Sequence, residues 1–130
     1  MKDLPDNYNL GPAELRYAPL TMYTFKFLSK ALGMKREKIA RYANTFVGRD
    51  LNAGKQRGIA RLLSKEEAFV IFYANIITFN TLNIAISHKI IEEGIHLDYY
   101  VYNNDGGISL HINTLKIREC FESLLTSEAQ

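Results

Sequence analysis

The chain has 130 residues, of which 47% are hydrophobic, and it includes eight tyrosines and seven phenylalanines. These values predict one folded domain with an ordinary core and argue against wholesale disorder. A single cysteine, Cys120, excludes an internal disulfide and fits a reducing compartment. The first twenty residues hold no long apolar run, so the sequence predicts no signal peptide.

Charge is distributed unevenly along the chain. The segment from Lys26 to Lys65 contains eleven basic and two acidic residues, a net charge of +9, whereas the remaining residues carry a net charge of −7. A basic segment on an otherwise acidic protein predicts a face that attracts polyanions such as nucleic acid. A solvated basic surface without a partner is the alternative interpretation of the same pattern.

Three prolines make residues 1–20 an irregular N-terminal arm. The segment 24–32 predicts a short helix, because Thr24 can cap it and its apolar residues recur at helical spacing. Gly33 ends this helix. A second helix follows over residues 35–44, with three residues facing inward: Ile39, Tyr42 and Ala43.

Four residues of this region have the spacing of a helix-turn-helix. Ser29 is small enough for two helices to cross, and Gly33, four residues later, tolerates the positive φ of a tight turn. Met34 and Ile39 supply the apolar contacts of the second helix. The exposed face of that helix then carries residues suited to bases and phosphates: Lys35, Arg36, Lys38 and Arg41. A helical hairpin with a solvated basic face is the alternative.

A wing is predicted beside the second helix. Residues 44–58 are rich in glycine and basic residues, which is typical of a loop or hairpin, and the apolar run 59–63 is suited to return as a strand. In that arrangement three basic side chains lie near the DNA phosphates that flank the groove: Lys55, Arg57 and Arg61.

A long helix is predicted from Ser64, which forms a capping box with Glu67, to Glu93, with Gly94 as its stop and a kink near Asn80 as an alternative. Its apolar residues lie on nearly all faces, and one small domain offers too little to cover them. We therefore expect a homodimer in which the following side chains face the partner subunit: Phe69, Phe72, Tyr73, Ile76, Phe79, Leu82 and Ile86.

Part of this helix, residues 68–87, has no charged side chain over twenty positions, which is long enough to span a bilayer. The stretch also contains three asparagines and two threonines, and burying such groups in hydrocarbon is costly. The sequence therefore favours a core or interface helix over a membrane span.

Two strands, Tyr99–Tyr102 and Ile108–Ile112, are predicted to form a hairpin, because the asparagines and glycines between them suit a tight turn. We expect the tyrosines of the first strand to cover the long helix, with a small-molecule pocket as the alternative: Tyr99, Tyr100 and Tyr102.

A last helix is predicted after Asn113, which can cap it. Its apolar stripe consists of Leu115, Ile117, Cys120, Phe121 and Leu124. Cys120 is therefore expected to be packed rather than reactive.

The sequence contains no catalytic or metal-binding constellation. The three histidines, His88, His96 and His111, lack the spacing of a ligand cluster, and neither a glycine-rich phosphate loop nor a nucleophile elbow is present. We expect a protein that is not an enzyme and that holds no metal and no cofactor.

The order of helix, turn, helix, wing, Ser-x-x-Glu cap and long helix over residues 22–94 resembles the MerR family of regulators. Residues 58–68 are similar to that family's Gly-Tyr-Arg-x-Tyr-Ser-x-x-Asp-Leu junction, with Arg61 in place of its wing arginine, and Tyr42 is similar to the second aromatic at the end of its recognition helix. The resemblance implies a winged helix-turn-helix, with Tyr42 among the DNA-contacting residues, and an antiparallel homodimer on a palindromic operator. The junction here is one residue longer, and no metal-sensing cysteines follow the long helix, so metal sensing is not implied.

Together these features predict a mainly α fold with a small β component: an N-terminal arm (1–20), a winged helix-turn-helix (21–66) and a region with the dimerisation helix, the hairpin and the last helix (67–130). The expected function is sequence-specific binding of double-stranded DNA by a homodimeric transcriptional regulator. We expect a cytoplasmic, nucleoid-associated protein without membrane contact, whose small-molecule or protein effector, if any, is unknown. The alternative is an antitoxin-like or scaffold-like interaction module in which DNA contact is secondary or absent.

Overall fold

The computed structural model describes residues 22–48, 62–104 and 106–130. This part of the chain is mainly helical, with five α-helices and two small antiparallel sheets, so the predicted mainly α fold with a small β component is confirmed. The elements in chain order are β1 (Met22–Tyr23), α1 (Phe25–Leu32), α2 (Arg36–Tyr42), a π-helical segment (Ala43–Val47), β2 (Leu63–Ser64), α3 (Lys65–Thr81), α4 (Ile84–Gly94), β3 (Tyr100–Asn103), β4 (Ser109–Ile112) and α5 (Thr114–Ala129).

The first helix begins and ends as its sequence predicts. The Thr24 hydroxyl accepts a hydrogen bond from the Phe27 N–H at 3.0 Å, which satisfies one of the free donors of the first turn. Gly33 adopts the left-handed conformation with φ 68°, and its N–H donates to the Ser29 carbonyl at 3.0 Å. Because glycine has no Cβ, this sharp end costs little.

The second helix passes without interruption into the wider π-helical turn and ends at Gly48, with φ 82°. Tyr42 and Phe46 meet edge to face across this transition, with ring centroids 5.2 Å apart. Ile39, Tyr42 and Ala43 are buried, as predicted for the inward face.

A short sheet connects the two ends of the helix pair. In the antiparallel register of β1 and β2, Met22 lies opposite Ser64 and Tyr23 opposite Leu63. Of the strand predicted over residues 59–63, Leu63 is therefore in a strand, paired with the segment that precedes α1. The rest of the predicted wing and the arm over residues 1–20 lie outside the described residues.

The capping box at the start of α3 is confirmed. The Ser64 hydroxyl accepts from the Glu67 N–H at 3.1 Å, and a Glu67 carboxylate oxygen accepts from the Ser64 N–H at 2.9 Å. The Lys65 ammonium group lies 2.7 Å from the Glu122 carboxylate on α5, and this hydrogen bond raises the pKa of Lys65. The two contacts fix where α3 begins and tie it to the last helix.

The prediction of one helix as far as Glu93 is wrong, because α3 ends at Thr81 and a separate helix starts at Ile84. Leu82 adopts the left-handed conformation with φ 54°, and the Asn83 side chain caps α4 by accepting from the Ile86 N–H at 2.9 Å. The alternative of a kink near Asn80 is closer to the observed break.

Hydroxyl groups hold the two halves of this break together. The fully buried Ser87 hydroxyl accepts a hydrogen bond from Thr78 at 2.9 Å, lies 3.2 Å from the Thr81 hydroxyl and donates to the Asn83 carbonyl at 2.9 Å. These bonds satisfy a polar group that would otherwise be costly to bury. The uncharged polar residues of this stretch therefore build a turn between two packed helices.

The break lets one chain cover the helix that is apolar on all faces, because α4, α5 and the π-helical segment all pack against α3. On α5, Phe121 is the centre of one contact, with its ring 5.2 Å from that of Phe69 and 5.5 Å from that of Phe72. From α4, Ile90 is completely buried in the same core. A partner subunit is thus not needed to cover these faces.

Three of the side chains predicted to face a partner are corrected by this packing. Phe69, Phe72 and Tyr73 are buried within the chain and offer no surface. The Tyr73 hydroxyl lies 3.0 Å from the Thr114 hydroxyl at the start of α5, and burial raises the pKa of Tyr73. The Arg118 guanidinium covers the Phe69 ring at 4.1 Å from its centroid.

The predicted hairpin is confirmed, with β3 paired to β4 from Tyr100 opposite Ile112 to Asn103 opposite Ser109. Tyr100 packs on Gly94, where an added Cβ would lie 2.7 Å from the tyrosine ring. Its hydroxyl donates to the Glu93 carboxylate, which raises the pKa of Tyr100 to about 12. Tyr100 and Tyr102 pack against the core, whereas Tyr99 is exposed.

The last helix starts where predicted, with the Asn113 side chain accepting from the Lys116 N–H at 2.9 Å. Its buried face is different from the expected stripe. Phe121 and Leu125 are buried, whereas Leu115 and Cys120 are exposed, so the prediction that Cys120 is packed is wrong. The helix is rotated relative to the predicted stripe because it must present Phe121 to α3 and also pack against α1.

The described residues of the two regions predicted over 21–66 and 67–130 share one hydrophobic core, which includes Leu28 and Ile39 from the first and Phe69 and Phe121 from the second. Over the described ranges, no helix has the length and apolar character needed to cross a membrane. Within the same ranges, no group of three histidine, cysteine or acidic residues is arranged to bind a metal.

Candidate nucleic-acid interface

The turn between α1 and α2 is fixed by a side chain as well as by glycine. The Ser29 hydroxyl donates a hydrogen bond of 2.6 Å to the Met34 carbonyl on the far side of the turn. Met34 itself is buried, together with Leu28 on α1 and Ile39 on α2. These contacts set the orientation of α2 relative to α1, as a helix-turn-helix requires.

The outer face of this helix pair is strongly basic. Residues 22–48 contain six basic residues and one acidic residue, Glu37. Lys35, Arg36 and Arg41 are exposed, and Lys38 is half-buried. Among the described residues, none of these four cations lies within 4.0 Å of a carboxylate.

A cleft of about 530 Å³ collects three of the four cations next to α3. Arg36 is outside this cleft, although it is exposed at the first position of α2. The cleft is lined by the turn and by one face of α2, and α3 contributes a single polar residue; its lining is Gly33, Met34, Lys35, Glu37, Lys38, Arg41 and Asn75. Its polar, cationic lining suits a phosphate group and its oxygens.

Two positions were predicted for Tyr42, one on the inward face of α2 and one in contact with DNA, and the structure supports the inward position, because only 6% of its surface is exposed. Its ring instead supports two cations: the Lys38 ammonium lies 5.7 Å and the Arg41 guanidinium 5.6 Å from its centroid. Both distances are within the range of cation–π attraction. Tyr42 is therefore a positioning residue for Lys38 and Arg41.

Two polar residues of the cleft were not anticipated. Glu37 lies four residues before Arg41 on α2, and this i, i+4 spacing was a usable sequence signal. Asn75 lies in an uncharged apolar helix, and nothing local in the sequence connects it with α2. Its place in the cleft depends on how α3 packs against α2, which is a tertiary contact.

The remaining predicted site residues are not brought together here. Lys55, Arg57 and Arg61 lie outside the described residues, so their role in a wing stays a prediction. Of the residues predicted at a dimer interface, Ile76 and Ile86 are half-buried, and Phe79 and Leu82 are exposed at the α3–α4 turn.

Comparison of the chain with protein-family models, with curated proteins and with solved structures found no match.

Proposed function

We propose that this chain is a transcriptional regulator that binds double-stranded DNA sequence-specifically as a homodimer, with α1 and α2 as a helix-turn-helix and α2 in the major groove. One observation carries the proposal: a turn fixed by the Ser29–Met34 hydrogen bond holds a helix whose outer face combines exposed and half-buried cations, and no carboxylate of the described residues lies within 4.0 Å of them. An α-helix fits the major groove, and phosphates attract such a surface.

The cations divide into two roles. Arg36 stands at the exposed start of α2, outside the cleft, where a guanidinium can reach base edges and bind guanine through two hydrogen bonds. Lys35 and Lys38 lie in the cleft with Asn75, a setting suited to a backbone phosphate. Arg41 is suited to both roles, since it lines the cleft and is also exposed.

Glu37 adds a selective element to this surface. A carboxylate near phosphates is unfavourable, but the same group accepts a hydrogen bond from the amino group of cytosine. A face that only attracted the backbone would gain from a neutral residue at this position. The presence of Glu37 among the cations therefore supports reading of bases and not only attraction to charge.

A wing with Lys55, Arg57 and Arg61 belongs to the same proposal, since these basic residues follow the helix pair directly in the sequence. In a winged helix-turn-helix they contact phosphates beside the groove that α2 occupies.

The test is a salt titration of duplex binding for the wild type and single alanine variants on cognate and scrambled duplexes. We expect Arg36→Ala to cost about 1–3 kcal/mol on the cognate duplex and to relax base preference. Lys38→Ala, Lys55→Ala and Arg57→Ala should weaken binding evenly on all duplexes and flatten the slope of log affinity against log salt by about 0.9 each.

Lys89→Ala is the matched control, because Lys89 is an exposed cation on α4 that lines neither the cleft nor the apolar groove between α3, β4 and α5, and the substitution should leave the duplex affinity and the salt slope unchanged. Absence of salt-dependent duplex binding by the wild type at low ionic strength would contradict the proposal. Equal behaviour of Arg36→Ala and Lys38→Ala would show binding without reading of bases through α2.

A second candidate function is a protein-interaction module of antitoxin-like or scaffold-like type. The observation that favours it is the exposure of Phe79 and Leu82, two large apolar side chains at one turn. A chain that binds no duplex DNA in the titration above but still associates through this turn would support this second candidate.

A further inference from the structure

The turn between α3 and α4 exposes three apolar side chains, which we name the turn surface: Phe79, Leu82 and Ile84. Their exposed fractions are 79%, 85% and 43%. Single exposed apolar residues are ordinary on protein surfaces, but three large ones within six residues form a patch.

Leu82 is unusual in its backbone as well as in its exposure. It is the one non-glycine residue of the described chain with positive φ, at 54°. This conformation is unfavourable for a branched apolar residue, and glycine or asparagine is the ordinary choice at such a helix end. The Leu82 side chain contacts solvent, so it adds no packing that would stabilise the fold. An outlier of this kind points to a role outside the chain.

An apolar groove next to this patch supplies a surface for an apolar side chain to enter. It has a volume of about 270 Å³ and lies between α3, β4 and the start of α5, with mostly apolar walls that include Ile76, Leu110 and Ile117. Ile76 lies one helical turn before Phe79 on α3, so the projecting side chains and the groove are neighbours.

We propose that the turn surface binds a second copy of this chain, with the projecting side chains of each copy against the groove of the other. A two-fold contact brings the same stretch of each copy to the groove of the other, and the stretch from Ala68 to Ser87 carries no charged side chain, so Lys116 in each groove lining meets an uncharged surface. The groove lining contains one lysine or arginine, Lys116, whereas the cleft beside α2 contains three such cations, so this surface is less suited to nucleic acid than that cleft. The inference rests on the homodimer in the proposed function and gives it a location.

The size of the patch sets the expected strength of this contact. Phe79, Leu82 and Ile84 together expose on the order of 300–400 Å² of apolar side chain. A standard stable interface takes about 800 Å² from each partner, so these side chains supply roughly half and the groove walls must supply the rest. A contact that does not exceed the standard size and has no charge pair across it is expected at the weak end of such interfaces, with a dissociation constant on the order of micromolar.

The experiment is analytical ultracentrifugation of the full chain without DNA, over concentrations on both sides of that value. The wild type should move from the 14.9 kDa monomer toward the dimer as its concentration rises. Leu82→Gly and Phe79→Ser should each raise the dissociation constant by about tenfold or more, because each removes a buried apolar side chain from the contact.

Leu82→Gly distinguishes this role from a structural one. At a concentration where the chain is monomeric, the glycine variant should have a higher thermal midpoint than the wild type, because it relieves the unfavourable φ. A variant that is more stable and yet associates less strongly cannot be explained by loss of fold. Leu115→Ser, at an exposed leucine on α5, is the matched control and should leave association unchanged.

Three results would overturn the inference: a wild type that stays monomeric throughout, a Leu82→Gly variant that associates as strongly as the wild type, or equal weakening by Leu115→Ser. A wild type that stays monomeric would also contradict the homodimer in the proposed function, whereas binding of one copy to a half-length duplex tests DNA contact by α2 without self-association.

Discussion

Two turns of this molecule solve the same backbone problem with different residues. The first helix ends at Gly33, with φ 68° and its N–H donating to the Ser29 carbonyl at 3.0 Å. The third ends at Leu82, with φ 54° and its N–H donating to the Thr78 carbonyl at 2.7 Å. In both turns a left-handed residue and one backbone hydrogen bond end the helix, and a new helix starts within four residues.

The difference lies in what each turn does with its side chains. At Gly33 the chain uses the residue with the smallest conformational penalty, and the neighbouring Met34 is buried. At Leu82 the chain accepts about 1–2 kcal/mol of backbone strain and directs an apolar side chain into solvent. The first turn therefore serves the internal packing of the helix pair, whereas the second presents a surface.

Charge separates the two turns as well. Three cations surround the cleft at the Gly33 turn, whereas no charged residue occurs from Ala68 to Ser87 around the Leu82 turn. One small chain thus carries a polar face suited to a polyanion and an apolar face suited to another protein surface.

The largest effect should come from removing the packing on which the first turn depends. Ile39 is completely buried beneath α2, so Ile39→Ala should lower the free energy of unfolding by about 2–5 kcal/mol. Leu82→Ala is the comparison at the second turn, and it should change that free energy by less than about 0.5 kcal/mol, because Leu82 is exposed. Urea unfolding followed by circular dichroism measures both, and equal losses would contradict the contrast between the turns.

Smaller changes of opposite sign in the free energy of unfolding should follow when glycine is removed from the first turn and introduced into the second. Gly33→Ala meets no atom within 4 Å, so its cost is that of the backbone conformation alone. Alanine is unfavourable in the left-handed conformation, but it also lowers the conformational entropy of the unfolded chain, which offsets part of that penalty. We therefore expect Gly33→Ala to lower the free energy of unfolding by about 0.5–1 kcal/mol.

By the same reasoning, Leu82→Gly should raise the free energy of unfolding by about 0.5–1 kcal/mol. Thermal unfolding of Gly33→Ala and Leu82→Gly, at a concentration where the chain is monomeric, measures whether each substitution lowers or raises the free energy of unfolding. A stability loss for Leu82→Gly would show that this leucine contributes to the fold, and the contrast with Gly33 would disappear.

Local patterns predicted the first turn and most helix starts correctly. Ser29, Gly33 and Met34 lie within six residues, and each acts through a contact inside that span, so the spacing is informative without the fold. The capping box at Ser64 and the cap at Asn113 are local in the same sense. The cationic face of α2 followed directly from helical periodicity.

The second turn could not be predicted in this way, because leucine is not a helix-stop residue. This turn is stabilised by hydrogen bonds between the hydroxyls of Thr78 and Thr81 and that of Ser87. These groups come together only when α4 packs against α3. The exposure of Cys120 also depends on tertiary packing, since this residue lies at the edge of a helical face. Such edges are decided by neighbouring elements that no local pattern describes.

Binding of duplex DNA by the cationic face of α2 can be tested with a two-dimensional amide NMR spectrum recorded while a short duplex is added at low ionic strength. We predict that the largest shifts fall on residues 35–41 and on Asn75, with the amides of residues 79–84 unchanged at constant protein concentration. Shifts centred on residues 79–84, or no shifts at all, would contradict the account.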